Sequence, residues 1–176
     1  MGQNYISNCK GGYVDFAGEL ARRNGIPLET AFPYKGKTFT GTMPSTPGIC
    51  DTNLTYMYAR NPAVTTFTVN RNLTNDQMKN LIAAGPIGAL IYADSGFQSY
   101  SSGIYSGCPA FATSYSKINH AVIIVGYDSS GNYIVKNSWS TTWGQNGFGV
   151  VSKNFDCGLS AFAYQYVSSA SPGGGL

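Results

Sequence analysis

The chain's single histidine, His120, opens an apolar run, Ala121-Val122-Ile123-Ile124-Val125, and both of its tryptophans follow close behind. Tyr133-Ile134-Val135-Lys136-Asn137-Ser138-Trp139 leads into Trp143-Gly144-Gln145-Asn146-Gly147-Phe148-Gly149. An asparagine at the end of a strand can hold an imidazole through its amide oxygen, fixing the tautomer, while indoles keep water from that bond. The bland reading of a lone histidine beside a strand is a satisfied structural residue. A structural role gives no reason to crowd an asparagine, two tryptophans and several glycines into so short a span. This segment ties the chain to a sheet that presents a polar pair at one end.

The remaining pattern agrees with one domain or two lobes sharing an interface. Of 176 residues, 43% are hydrophobic and 14% aromatic, enough apolar mass for a core and too much for disorder. Eleven bases against eight acids leave +3, too weak and scattered for a nucleic-acid footprint. No apolar run approaches the length of a membrane span. Val14, Ala17, Leu20 and Ala21 share a helical face before Asn24-Gly25, which predicts a helix over Tyr13–Arg23. Residues 27–62 are broken by prolines and read as loop, and Ala63–Val69 reads as a strand. Thr74-x-x-Gln77 is a capping box ahead of Met78, Leu81 and Ile82, and Gly85-Pro86 ends that helix. Four strand-like runs follow, Ile87–Ala93, Ala121–Tyr127, Tyr133–Asn137 and Gly147–Ser152, joined by turns such as the one over 128–131. The expectation is a helix-and-loop part followed by an antiparallel sheet or barrel, with a flexible tail over 171–176.

Four cysteines, at 9, 50, 108 and 157, contain no C-x-x-C pair, so with one histidine no metal site is expected. They allow three disulfide connectivities, and spacing does not choose between them. Buried cytosolic thiols are one reading. Low charge and two glycan acceptor triplets, Asn53-Leu54-Thr55 and Asn72-Leu73-Thr74, favour an oxidising secretory or vesicular setting. The start, Met1-Gly2-Gln3-Asn4, has neither the basic nor the apolar region of a signal peptide.

With these residues in view, the chain resembles the papain-like cysteine peptidases, the family that includes the cathepsins. The His120 strand resembles the family's histidine strand, with Asn119 where Asp or Asn is usual. Lys136-Asn137-Ser138-Trp139 with Trp143-Gly144-x-Asn146-Gly147 is similar to its asparagine motif, with Ser140 where a glycine is usual. Gly85-Pro86-Ile87-Gly88-Ala89 and Phe97-x-x-Tyr100-x-x-Gly103-Ile104-Tyr105 resemble the opening of its sheet lobe. Cys9-x-Gly11-Gly12-Tyr13 and Phe32-Pro33-Tyr34 resemble its substrate-binding glycine pair and its aromatic-Pro-Tyr signature. The likeness covers nearly everything from Cys9 to Phe162.

The resemblance implies an α+β, two-lobe papain-like fold. Residues 1–84 would form a partial helical lobe and 85–170 a complete antiparallel sheet or barrel lobe. It implies His120 and Asn137 as catalytic base and orienting amide, with a peptide or protein as substrate. It implies Gly11 and Gly12 as a ledge for substrate backbone, with Tyr13, Leu90, Ile118, Asn119 and Phe162 around the neighbouring pocket. For Tyr13, Leu90, Ile118 and Phe162 ordinary core is as good a reading. Trp143 would shield the His–Asn pair, and Cys108 would pair with Cys157. A bridge of that span contributes roughly 3–4 kcal/mol on the chain-entropy account. No cofactor is implied.

The family's nucleophile lies in a C-G-[SA]-C-[WY] segment far upstream of the histidine. No such segment occurs in these 176 residues. Cys9 and Cys50 look structural, and Gln3 does not replace the family's oxyanion-hole glutamine. Two readings follow. In one, a cysteine endopeptidase takes its Cys-Trp helix from an N-terminal fragment or second chain, this chain being inactive alone. In the other, a pseudoenzyme has a structural or peptide-binding role. Either would work in a secreted or lysosomal setting.

Overall fold

A computed structural model describes residue 14, residues 64–109 and residues 115–168. Most of these fall in one unit, Thr68–Gln165, while a second unit gathers 1–67 and 166–176. The expected ledge (Gly11, Gly12, Tyr13), Cys9, Cys50, the 27–62 loop and the tail lie outside the described residues. So does the expected first helix apart from Val14, which is helical.

Seven strands form one sheet: β1 (Val64–Arg71), β2 (Ile87–Ile91), β3 (Ile104–Tyr105), β4 (His120–Tyr127), β5 (Tyr133–Lys136), β6 (Phe148–Val151) and β7 (Phe162–Ser168). Their order is β1-β7-β2-β4-β5-β6-β3. β2 runs antiparallel to β4 and β7, and β5 antiparallel to β4 and β6. The fold is α+β as expected, with two differences in the sheet. β3 pairs with β6 in parallel, so the sheet is mixed. Among the described residues it is also open, with β1 and β3 at its ends, and does not close into a barrel.

Helix α1 (Asn75–Ala84) starts as its capping box dictates. The Thr74 hydroxyl oxygen accepts from Gln77 N–H at 3.3 Å, and Gln77 Oε1 accepts from Thr74 N–H at 2.8 Å. Met78 and Ile82, one turn apart, are buried against the sheet core, and Gly85 with a φ of 146° lets the chain leave before Pro86. α1 falls with most of the sheet in the unit Thr68–Gln165. A second, four-residue helix, α2 (Ser95–Gln98), is capped by Asp94.

Alternation along the strands separates two faces. Ile87, Ala89 and Ile91 of β2, Val122 and Ile124 of β4, Tyr133 and Val135 of β5, and Val151 of β6 point into the core with Phe97 and Leu159. Burial pushes the Tyr133 hydroxyl up to about 12, with the Asp156 charge adding to it; that hydroxyl donates to Asn75 Oδ1 at 2.7 Å. On the opposite face Ile123 of β4 and Phe148 of β6 stay exposed, and Val125 is exposed at the register shift; past that shift Tyr127 pairs with Tyr133 on the core side, under the Lys79 ammonium at 5.8 Å.

Cys108 and Cys157 form the disulfide that the family resemblance implies, with Cα atoms 5.3 Å apart and a sequence separation of 49. The bridge ties the loop after β3 to the turn after β6. There Asp156 accepts from Gly158 N–H at 3.0 Å and from Ser160 N–H at 2.9 Å. Closing a loop of this length restricts the unfolded chain by about 4 kcal/mol. A Cys108→Ser/Cys157→Ser double variant is therefore expected to lose roughly that much unfolding free energy and to unfold at a lower denaturant midpoint than the parent; unchanged midpoints would contradict it.

Candidate active site

His120 is the first residue of β4, and Asn137 follows the last residue of β5. The two strands are antiparallel neighbours, so their register sets the start of one beside the end of the other; Ile123 faces Lys136. His120 Nε2 lies 2.8 Å from Asn137 Oδ1. That oxygen also accepts the backbone N–H of Ser138 at 2.7 Å. A backbone N–H can only donate, so the atom facing both groups is the amide oxygen. The neutral imidazole must therefore carry its proton on Nε2, which leaves the Nδ1 lone pair as the basic site. Asn137 is itself buried, and its backbone N–H donates to Gly147 C=O at 2.9 Å. Its Nδ2 is buried and donates to nothing among the described residues.

The aromatic cover differs from expectation. Trp139 stacks on the imidazole, with ring centroids 4.4 Å apart and planes 24° from parallel. Trp143, the expected shield, stands behind Trp139 edge-on at 6.0 Å. Its indole N–H donates to Phe97 C=O at 2.9 Å, and its ring packs on Phe97 and Tyr100. The cause is the turn after Asn137. Ser140 takes a left-handed φ of 70°, the conformation a glycine would favour, and this turn keeps Trp139 beside the strand end. Gly149 makes room for Trp143: a Cβ there would stand 2.8 Å from its ring and 2.9 Å from Tyr100.

Asn119 was expected at the substrate pocket. Its side-chain oxygen accepts from Ala93 N–H at 2.8 Å, and its Nδ2 donates to Ala93 C=O at 3.1 Å. Its own N–H donates to Ile91 C=O at 3.3 Å. The residue before His120 thus clamps β4 to the end of β2. Leu90 is half-buried opposite Ala121, and Phe162 lies one position before the Ala163–Ala89 pairing, on the same face of the sheet as Leu90. Phe162 is buried under the Arg71 guanidinium at 5.0 Å. Ile118 is half-buried two residues before His120. The structure thus places Leu90 and Phe162 on neighbouring strands, consistent with either a pocket wall or core.

Among the described residues both cysteines are in the disulfide, and no cluster of histidine, cysteine or carboxylate side chains could hold a metal ion. No described helix is long and apolar enough to cross a membrane.

Burial holds the His120 imidazole below its ordinary value of about 6.5, and the Asn137 hydrogen bond opposes that shift by favouring the charged ring. With the folded value below the unfolded one, the unfolded chain binds more protons between the two. The contribution of His120 to stability is then full above about pH 6.5 and is lost as the pH falls toward the folded midpoint. Because the chain has one histidine, proton NMR should show one imidazole titration, with a midpoint below 6.5. Asn137→Ala should move it lower still, and Trp139→Ala, by admitting water, should move it back up. Shifts in the opposite directions would contradict this assignment.

Comparison with known proteins bears on the family and the fold. The profile of the papain family cysteine proteases matches residues 2–167. The chain is 34% identical over 159 residues to gamete and mating-type specific protein A of Dictyostelium discoideum, covering 90% of this chain and 32% of that protein. It is 33% identical to fruit bromelain of Ananas comosus over 161 residues, covering 86% of this chain and 41% of the relative. Among solved structures, bromelain of Ananas comosus in complex with the E64 inhibitor superposes with a TM-score of 0.69 at 29% identity. That match covers 94% of this chain and 73% of the bromelain chain. Digestive procathepsin L2 of Tenebrio molitor larval midgut gives 0.73 at 29% identity, over 93% and 50%. The chain spans about a third to two-fifths of the length of these two curated relatives. It belongs to the papain family of cysteine proteases.

Proposed function

We propose that this chain supplies the base and the orienting amide of a Cys-His-Asn peptidase, and that it hydrolyses peptide bonds only when a thiol is brought to His120. The observation that carries this reading is the Asn137 oxygen on His120 Nε2 at 2.8 Å under the Trp139 ring. With Nε2–H held there, Nδ1 can take the proton of a cysteine thiol. The thiolate attacks the substrate carbonyl carbon, and the C–N bond breaks as the imidazolium returns the proton to the leaving amine. Water, deprotonated by the same nitrogen, then splits the thioester to a carboxylic acid and the free thiol. Asn137 orients the ring without adding a charge. In this reading Gly11 and Gly12 pair with the extended substrate backbone, and Leu90, Ile118 and Phe162 with Tyr13 bound the neighbouring pocket. Asn119 acts there by holding β4 in place, and Trp143 by backing Trp139.

The nucleophile is the open part. No C-G-[SA]-C-[WY] segment occurs in the sequence, and the described cysteines are bridged. The exposed sheet face carrying Ile123 and Phe148 supports docking of an apolar helix from an N-terminal fragment or second chain. The second reading is a papain-like pseudoenzyme with a structural or peptide-binding role, which holds where no partner segment supplies the Cys-Trp helix. The disulfide supports a secreted or lysosomal setting for either.

The pure chain is expected to be inert toward peptide substrates, since loss of the nucleophile alone costs on the order of 10⁶-fold in rate. An active-site-directed epoxide should label none of its thiols. Adding a Cys-Trp helix segment should restore turnover that His120→Ala abolishes. Binding of that segment without turnover would favour the pseudoenzyme. Turnover by the pure chain, removed by changing Cys9 or Cys50 to Ala, would place the nucleophile in this chain and overturn the account.

A further inference from the structure

We propose that Asn72 carries an N-linked glycan. Asn72-Leu73-Thr74 is one of two Asn-x-Ser/Thr triplets without proline in the sequence, and the other, at Asn53, lies outside the described residues. Asn72 and Thr74 are both exposed, on the short turn between β1 and α1.

The local geometry leaves this side chain unused. Asn72 has a left-handed φ of 51°, a conformation asparagine tolerates better than most residues, while its backbone N–H donates to Ala161 C=O at 3.3 Å. The backbone is therefore fixed by the fold, yet among the described residues no hydrogen bond uses the Asn72 amide. Four other asparagines have their side chains engaged. Asn75 accepts from the Tyr133 hydroxyl, Asn119 clamps Ala93, Asn132 bonds Asp128, and Asn137 holds His120. An asparagine that the fold pins at its backbone but leaves free at its amide can be modified without loss of any native contact.

The disulfide is an independent observation pointing to the same compartment. Cys108–Cys157 forms where thiols are oxidised, and in eukaryotic cells that is where oligosaccharide is transferred to such triplets. In the transfer, Asn72 Nδ2 attacks the anomeric carbon of a polyprenyl-diphosphate-linked oligosaccharide. The N–C bond forms, the C–O bond to diphosphate breaks with its electron pair leaving on the diphosphate, and the nitrogen loses one proton to the transferase. The position also has a spatial consequence. Ala161, the partner of Asn72, precedes β7, whose Ala163 faces Ala89 of β2, and Ile91 of β2 faces His120. The sugar would thus stand on the end of the sheet that carries His120.

The test is peptide mapping by mass spectrometry of the full chain secreted from a eukaryotic host behind a cleavable leader, in material with the Cys108–Cys157 bridge intact. The peptide containing Asn72 should be found glycosylated, and peptide N-glycosidase should convert Asn72 to Asp. Thr74→Asn, which removes the triplet while keeping a residue that can cap α1, should abolish the modification, and Thr74→Ser should retain it. An unmodified Asn72 peptide in bridged, secreted protein, with or without a glycan at Asn53, would overturn the proposal.

Discussion

The site depends on one backbone N–H. Ser138 donates to the Asn137 side-chain oxygen, and because a peptide N–H cannot accept, the amide is held in one orientation. The same oxygen then faces His120 Nε2, so the ring's tautomer follows from a residue that never touches it. Had the amide turned over, its NH₂ would face Nε2 and draw the proton to Nδ1, leaving no base on the side a thiol would need. A neutral amide does this without placing a charge beside the imidazole, so burial under Trp139 still dominates the proton affinity of the ring.

The rest of the unit holds the two strand ends that meet there. Asn119 fixes the start of β4 to the end of β2 through both its amide groups, and Asn137 N–H on Gly147 C=O fixes the end of β5 toward β6. Behind Trp139, Trp143 is locked by its bond to Phe97 C=O and by Tyr100, in space that exists because residue 149 lacks a side chain. The disulfide anchors the same region from another side. Tyr92 N–H donates to Cys157 C=O at 2.8 Å, one residue before the Ala93 that Asn119 grips. Bridge, clamp and strand register thus converge on the position of one imidazole.

Much of this was legible in the sequence, and the reasons differ by element. Helix α1 was readable to the residue at its start because a capping box is a local signal, satisfied by atoms three residues apart. The strands carrying His120 and Asn137 were readable because alternation and flanking glycines mark them. β7 escaped because Phe162–Ser168 has no turn chemistry before it that separates it from the Asp156 turn; its strand state comes from pairing with β2 on one side and β1 on the other. β3 and α2 are too short to show a period at all. The choice between Trp139 and Trp143 as cover was not legible, since both lie near Asn137 and the deciding factor is the left-handed turn at Ser140, where the sequence lacks the glycine that would advertise it. Asn119 reads as a polar residue beside a catalytic one, and only the fold shows its amide spent on backbone.

The central claim is that the protein stores the His120 proton on Nε2. Because the chain has one histidine, nitrogen-15 NMR of the imidazole at a pH above its titration can test this without assignment. The account predicts a protonated, pyrrole-type Nε2 and an unprotonated, pyridine-type Nδ1. The reversed pattern, with the proton on Nδ1, would contradict it.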